Sequence, residues 1–135
     1  MSIEENKALV RRVVEFWNHR DMEAFFEICA PEYVEHLPIG NISLTQLKEY
    51  APRFFASFPD ISITIQDMVA EGDKVAVLVN CRATHQGEYM GITPTGRKID
   101  IPVAYIIKIL GGRWVEFWNV TDIRLMQQLG IIPTQ

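Results

Sequence analysis

Two spacings of apolar residues divide this chain. Through residue 58 they recur every three or four positions, the period of a helix with one buried face; from residue 61 they alternate, the period of a strand. Leu9, Val10, Val13, Val14 and Trp17 predict a first amphipathic helix over residues 4–18. Asp21 is placed to cap a second, short helix running through Cys29, with Met22, Phe25, Phe26 and Ile28 on its buried side. Ala30-Pro31 ends that helix, and Tyr33-Val34-Glu35-His36 begins an extended segment. Leu44, Leu47, Tyr50, Phe54, Phe55 and Phe58 mark a third helix over residues 43–58, which Pro52 is expected to kink or to shift at its start.

In the second half Ile61, Ile63 and Ile65 alternate with Ser62, Thr64 and Gln66, a half-buried strand. Glu71-Gly72-Asp73 reads as a turn, and Val75, Val77, Val79 and Cys81 then occupy alternate positions. Pro94-Thr95-Gly96 makes a further turn, and Gly111-Gly112 is a two-residue hairpin signal. Helices followed by an antiparallel meander make the class α+β, as a single domain over residues 1–135. A two-residue Gly-Gly loop would set Leu110 opposite Arg113, Tyr105 opposite Trp118, Val103 opposite Val120 and Ile101 opposite Asp122. One face would then carry Trp118, Val120 and Asp122 together, and a slip of one residue would send Asp122 to the other face.

Composition narrows the function classes. At 135 residues, 48% hydrophobic and 22% charged, the chain can bury a sizeable core. A net charge of −4 argues against nucleic acid or an anionic membrane as partner. Two cysteines in apolar contexts, Cys29 and Cys81, read as buried free thiols, and no Cys/His spacing suggests a metal. The N-terminal residues lack a secretory pattern, and the run Ile101 to Ile107 is too short to span a bilayer, so the cytoplasm is the expected location.

Asp122 is the leading candidate for chemistry. A carboxyl group among bulky apolar neighbours is costly to ionise, which moves its pKa toward the range useful for proton transfer. It can equally cap the helical segment Arg124 to Leu129. His36 and His85 each read either as a pocket base or donor, or as a histidine bonded to backbone; His19 reads as a solvated loop residue. Glu88 and Glu116 read as surface or ion-paired carboxylates. Trp17, Tyr33, Phe54, Phe58, Tyr105 and Trp118 either line a ligand cavity or pack the core. No phosphate-binding glycine loop and no Ser-His-Asp ordering is present.

Taken in order, several segments resemble the SnoaL-like polyketide cyclases of the NTF2-like superfamily. They are Asn6 to Arg12, Phe16-Trp17-Asn18, Ala30-Pro31-Glu32-Tyr33-Val34-Glu35-His36, Phe58-Pro59-Asp60, Ala70 to Val75, Thr84 to Arg97, Glu116-Phe117-Trp118 and Asp122. The resemblance implies a cone-shaped α+β barrel in which a strongly curved sheet encloses a pocket, and a homodimer that packs sheet on sheet. It further implies intramolecular aldol condensation without metal or cofactor, with Asp122 as acid/base and His36 and His85 assisting.

The function expected on this basis is acid/base chemistry on a hydrophobic carbonyl compound, most specifically polyketide cyclisation. Trp17, Tyr33, Phe54, Met90, Tyr105 and Trp118 would shape the substrate pocket. A non-catalytic domain binding a small hydrophobic ligand is one alternative. Isomerase or epoxide hydrolase chemistry on the same scaffold is another; for the latter Asn80, Arg82 and Asn119 are the polar partners available, with Asn80 and Arg82 on the face opposite Val79 and Cys81.

Overall fold

The computed structural model describes residues 2–37, 40–121 and 124–130. The first helix, α1 (Ile3–Asn18), starts at a capping box: the Glu5 N–H donates to Ser2 Oγ and the Ser2 N–H to Glu5 Oε1, both at 3.1 Å. Helix α2 (Met22–Ile28) has Asp21 as its N-cap, and its chain passes directly into strand β1 (Cys29–Leu37). A short strand β2 (Gly40–Ser43) leads to α3 (Leu44–Ser57), capped by Ser43 and Gln46. Helix α3 continues through Pro52, so the proline neither ends the helix nor shifts its start.

Strands β3 (Ser62–Glu71), β4 (Lys74–Thr84), β5 (Lys98–Leu110) and β6 (Arg113–Thr121) follow, and a short helix α4 (Arg124–Gln128) closes the described chain. The six strands form one sheet in the order β2-β1-β6-β5-β4-β3. All neighbouring pairs are antiparallel except β1 with β6. The sheet curves strongly over the helices without closing into a barrel, since β2 and β3 remain as its two edges.

Irregularities in pairing produce the curvature. Between Ile65 and Asp67 the β3 register shifts by one residue, so apolar side chains turn inward at Ile63 and Ile65 and then at Met68 and Ala70. A second shift separates Lys108 from Ile109. Ile109 pairs with Trp114 but Lys108 pairs with Glu116, leaving Val115 as an extra residue in β6. The Gly-Gly hairpin and the Leu110–Arg113 pair form as expected. Beyond the bulge, however, Tyr105 faces Asn119 and Val103 faces Thr121, in place of the expected Trp118 and Val120. The physical reason is the single unpaired residue, which reverses the side-chain alternation of everything after it.

The core lies between the concave face and the helices. It contains Leu9, Val10 and Val13 of α1, Phe25 of α2 and the alternating Val75, Val77 and Val79 of β4. Both cysteines are buried and free. No helix among the described residues is long and apolar enough to cross a membrane.

Residues 85–97 make a long connection between β4 and β5, and its attachment to α3 positions part of the cavity. Gln86 and Gly87 donate backbone N–H groups to the Ser57 carbonyl at 2.9 and 3.2 Å, and Ser57 Oγ donates to the carbonyl of Glu88. At Gly87 the backbones approach so closely that a Cβ would be driven into the Ala56 carbonyl. Gly87→Ala should therefore displace the loop and cost about 1–3 kcal/mol, read as a lower midpoint in thermal or urea unfolding.

Candidate functional site

The concave face encloses a cavity of about 410 Å³. That is within the roughly 300–1,000 Å³ of pockets that hold small organic ligands. Its wall is mostly aliphatic and aromatic, from Val10, Trp17, Phe54, Ile101 and Val103 among others. The polar groups that reach it are few: Glu35, Tyr50, Tyr89, Tyr105, Asn119 and Thr121.

Glu35 is the carboxyl group of this wall. On β1 it shares a face with Tyr33 and Leu37, and the parallel register sets it beside Phe117 of β6, two residues from Asn119. It is 5% exposed. The Tyr33 hydroxyl donates to Glu35 Oε1 at 2.9 Å, and the Asn119 carboxamide donates to the same carboxylate. Asn119 Oδ1 in turn accepts from the Thr121 hydroxyl at 2.7 Å, which leaves its NH₂ group for Glu35. Loss of solvent outweighs these bonds and pushes the Glu35 acid up to about 7. A carboxyl group so placed is half ionised near neutrality and can both take and return a proton.

Two phenol arrangements complete the polar set. The Tyr50 hydroxyl of α3 and the Tyr89 hydroxyl of the 85–97 loop are hydrogen-bond partners. The Tyr105 hydroxyl of β5 and Cys81 Sγ of β4 are likewise hydrogen-bond partners. Burial raises all three phenols and pushes the Cys81 thiol up to about 11, so none of them ionises near neutrality. Among the described residues no group of three or more His, Cys, Asp or Glu side chains could hold a metal ion.

The family model for SnoaL-like polyketide cyclases matches residues 7–129. The chain belongs to this family. Among solved structures, AclR of Streptomyces galilaeus, described as a candidate hydroxylase, is 30% identical with a TM-score of 0.89, over 99% of this chain and 86% of its own. IdmH of Streptomyces antibioticus, a candidate polyketide cyclase, is 31% identical with a TM-score of 0.81, over 93% and 98%. A candidate polyketide cyclase from Acidithiobacillus ferrooxidans is 28% identical with a TM-score of 0.80, over 98% and 100%. Among curated proteins none matches the chain significantly by sequence.

Within this SnoaL-like chain the residues singled out from sequence fall in different places. Trp17, Phe54, Met90 and Tyr105 line the cavity. Tyr33 lies buried behind the wall and reaches it through its hydroxyl on Glu35. Trp118, expected in the wall, is instead on the outer face, because the extra Val115 reverses β6. His36 shares that outer face: its ring stacks on Trp118 at 5.0 Å, Nε2 meets Glu116 Oε2 at 2.6 Å and Nδ1 meets Asn41 Oδ1 at 2.8 Å. The Glu116 carboxylate holds the imidazole above its ordinary pKa, so Glu116 is the ion-paired group expected of it.

His85 is fully buried but lies outside the cavity wall. Its Nδ1 accepts from the Thr95 N–H at 3.3 Å and lies 2.9 Å from Thr95 Oγ1, and its backbone pairs with Arg97 and Gly96. It thus ties the 85–97 loop together. Asp122 lies outside the described residues. Asn80 and Arg82 are engaged with Asp100 on the outer face, at 2.6 and 3.3 Å, away from the cavity.

Glu35 is the site residue that sequence reasoning passed over. The available signal was its two-residue spacing from Tyr33, which puts the two side chains on one face of an extended segment.

The raised Glu35 acid has a definite sign for stability. Its folded pKa of about 7 lies above the ordinary 4.5, so the folded protein holds this proton more tightly than the unfolded chain. Its contribution is most favourable below about pH 4.5, is lost as pH rises to about 7, and is constant above that. Glu35→Gln should remove this dependence. In urea unfolding, the variant should gain on the parent between pH 5 and pH 8 by an amount on the order of 3 kcal/mol.

Proposed function

We propose that the chain is a cofactor-independent enzyme acting by acid/base chemistry on a hydrophobic carbonyl compound. Aldol ring closure of a polyketide-type chain is the reaction this site supports best. The observation that carries the reading is the Glu35 carboxyl, buried in the wall of a ligand-sized cavity and raised to a pKa near neutrality. Family membership and the likeness to IdmH, itself described as a candidate polyketide cyclase, point the same way.

A methylene flanked by two carbonyls is already acidic, so the protein has mainly to fold the substrate, move one proton and hold an oxyanion. The Glu35 carboxylate removes a methylene proton, and the electron pair passes to the carbonyl oxygen as an enolate. The enolate carbon attacks a second carbonyl of the same molecule, forming a carbon–carbon bond and an alkoxide. Glu35, now protonated, returns its proton to that alkoxide. The sequence consumes no other reactant. Asp122, the acid implied by the family resemblance, would serve as an alternative proton donor to the new hydroxyl.

An aryl β-keto ester in deuterated buffer tests the reading by NMR. Catalysed exchange of its methylene protons should fall by at least about a hundredfold in Glu35→Gln, with binding of the ester retained. Exchange at the parent rate in the variant would defeat the assignment. Tight binding by the parent protein, with the ester recovered unchanged and no accelerated exchange, would favour a carrier or sensor using the same cavity.

We also propose a homodimer formed through the outer face of the sheet. Leu78, Ile106 and Val120 are 39%, 42% and 59% exposed there, beside Ala104 and Trp118 in register. A patch of this kind needs a cover in a protein that stays dispersed. Sedimentation should find a dimer, and Leu78→Asp combined with Ile106→Asp should yield folded monomers.

A further inference from the structure

We propose that Asn119 is the hydrogen-bond donor that holds the substrate's carbonyl oxygen as it becomes an enolate, with Thr121 as its positioning residue. This rests on the reading of the cavity as a site for carbonyl chemistry, and it names the group that meets the developing negative charge.

Strand pairing places this carboxamide in the wall beside the acid. Asn119 and Thr121 stand two residues apart on β6, past the Val115 bulge, and both line the cavity. On one side Asn119 pairs with Tyr105 of β5, itself a wall residue. On the other, the parallel seam sets Glu35 of β1 against Phe117, one inward position from Asn119. A carbonyl compound whose methylene group lies against the Glu35 carboxyl therefore has its oxygen within reach of the next inward side chain along β6.

The amide is held by one end. Thr121 Oγ1 lies 2.7 Å from Asn119 Oδ1. An amide oxygen carries lone pairs only, so the hydroxyl is the donor of this bond and the acceptor half of the amide is used. The reverse orientation would set Oδ1 toward the Glu35 carboxylate, acceptor against acceptor, and would waste the NH₂ group on the hydroxyl. The NH₂ group has two N–H bonds that diverge in one plane, so one neighbouring carboxylate engages one of them and the second serves a guest. The Tyr33 hydroxyl, in contrast, is spent on Glu35 Oε1 at 2.9 Å. A carboxamide also keeps its protons at every ordinary pH, so it steadies an enolate without competing with Glu35 for the proton being moved. In a wall that is mostly aliphatic and aromatic, a fixed dipole of this kind gains strength as negative charge develops in front of it.

The test uses 4-nitrophenolate as a stable oxyanion and 4-nitrotoluene as its neutral counterpart of similar shape. Both are titrated into the full chain carrying Glu35→Gln, which removes the negative charge of the carboxylate from the wall. Phenolate should bind more tightly than the toluene. Adding Asn119→Leu, which keeps the side-chain shape without the donor, should weaken phenolate binding by at least about tenfold and leave toluene binding unchanged. Adding Thr121→Val instead should weaken phenolate by a smaller factor, and Thr121→Ser, which retains the hydroxyl, should restore it. If Asn119→Leu does not fold, the Val and Ser variants at residue 121 decide the matter between them. Equal loss of both ligands, no loss of phenolate, a Ser variant as weak as the Val variant, or no preference for phenolate in the Glu35→Gln protein would overturn the proposal. This readout is independent of turnover: a failed exchange assay with an Asn119-dependent phenolate preference would remove the proposed reaction and leave the oxyanion donor standing.

Discussion

Strand β6 has to present Asn119 and Thr121 to the cavity and keep Glu116 and Trp118 away from it, and a single unpaired residue decides this. With Val115 bulged, Phe117, Asn119 and Thr121 point inward and Asn119 reaches the Glu35 carboxyl across the parallel β1–β6 seam. The outward set then does separate work: Glu116 and Trp118 engage His36 of β1 from the other side, by a charged hydrogen bond and a stacked ring. The two faces of one seam therefore carry two polar clusters, one dry and one wet. Removing the bulge would place the carboxylate of Glu116 and the large indole of Trp118 in the interior at once.

The dry cluster works against stability. A carboxyl group kept out of water with one phenol and one carboxamide as partners is held less favourably than in solvent once it ionises, which is why its proton affinity rises. A Gln or a Leu in its place would relieve that tension. Groups held at such a cost are more often found where chemistry needs them than where packing does. The fold offsets it elsewhere, with capping boxes on both long helices and a continuous apolar layer along β4 and β5.

Much of this was legible from the sequence because the relevant signals are local. Helical spacing located α1 and α3 to within a residue or so, Asp21 capped α2, and Gly-Gly set the β5–β6 turn. The bulge was not legible: Val115 is a good strand former with no glycine or proline to mark it, and its effect appears only when β6 is laid against β5. The same limit hid Glu35. Its neighbour His36 is the residue that draws attention, yet the parallel pairing with β6, about 80 residues away in sequence, decides that Glu35 turns inward and His36 outward. Helix α3 runs on through Pro52, since a helix anchored by Leu47, Ala51 and Ser57 on its buried side tolerates one missing N–H.

Two side-chain amides finish the sheet where backbone partners run out. Asn18 at the end of α1 donates to the Ile63 carbonyl at 2.9 Å and accepts from its N–H at 2.8 Å on the outer strand β3. Gln128 of α4 treats Asp100 of β5 in the same manner, at 3.0 and 2.6 Å, beyond the point where β6 stops. Each imitates one rung of a ladder, so that a side-chain amide satisfies backbone groups for which the sheet supplies no further strand. Because α4 also sets Leu125 against the cavity, one short helix finishes the end of β5 and closes part of the cavity wall at the same time.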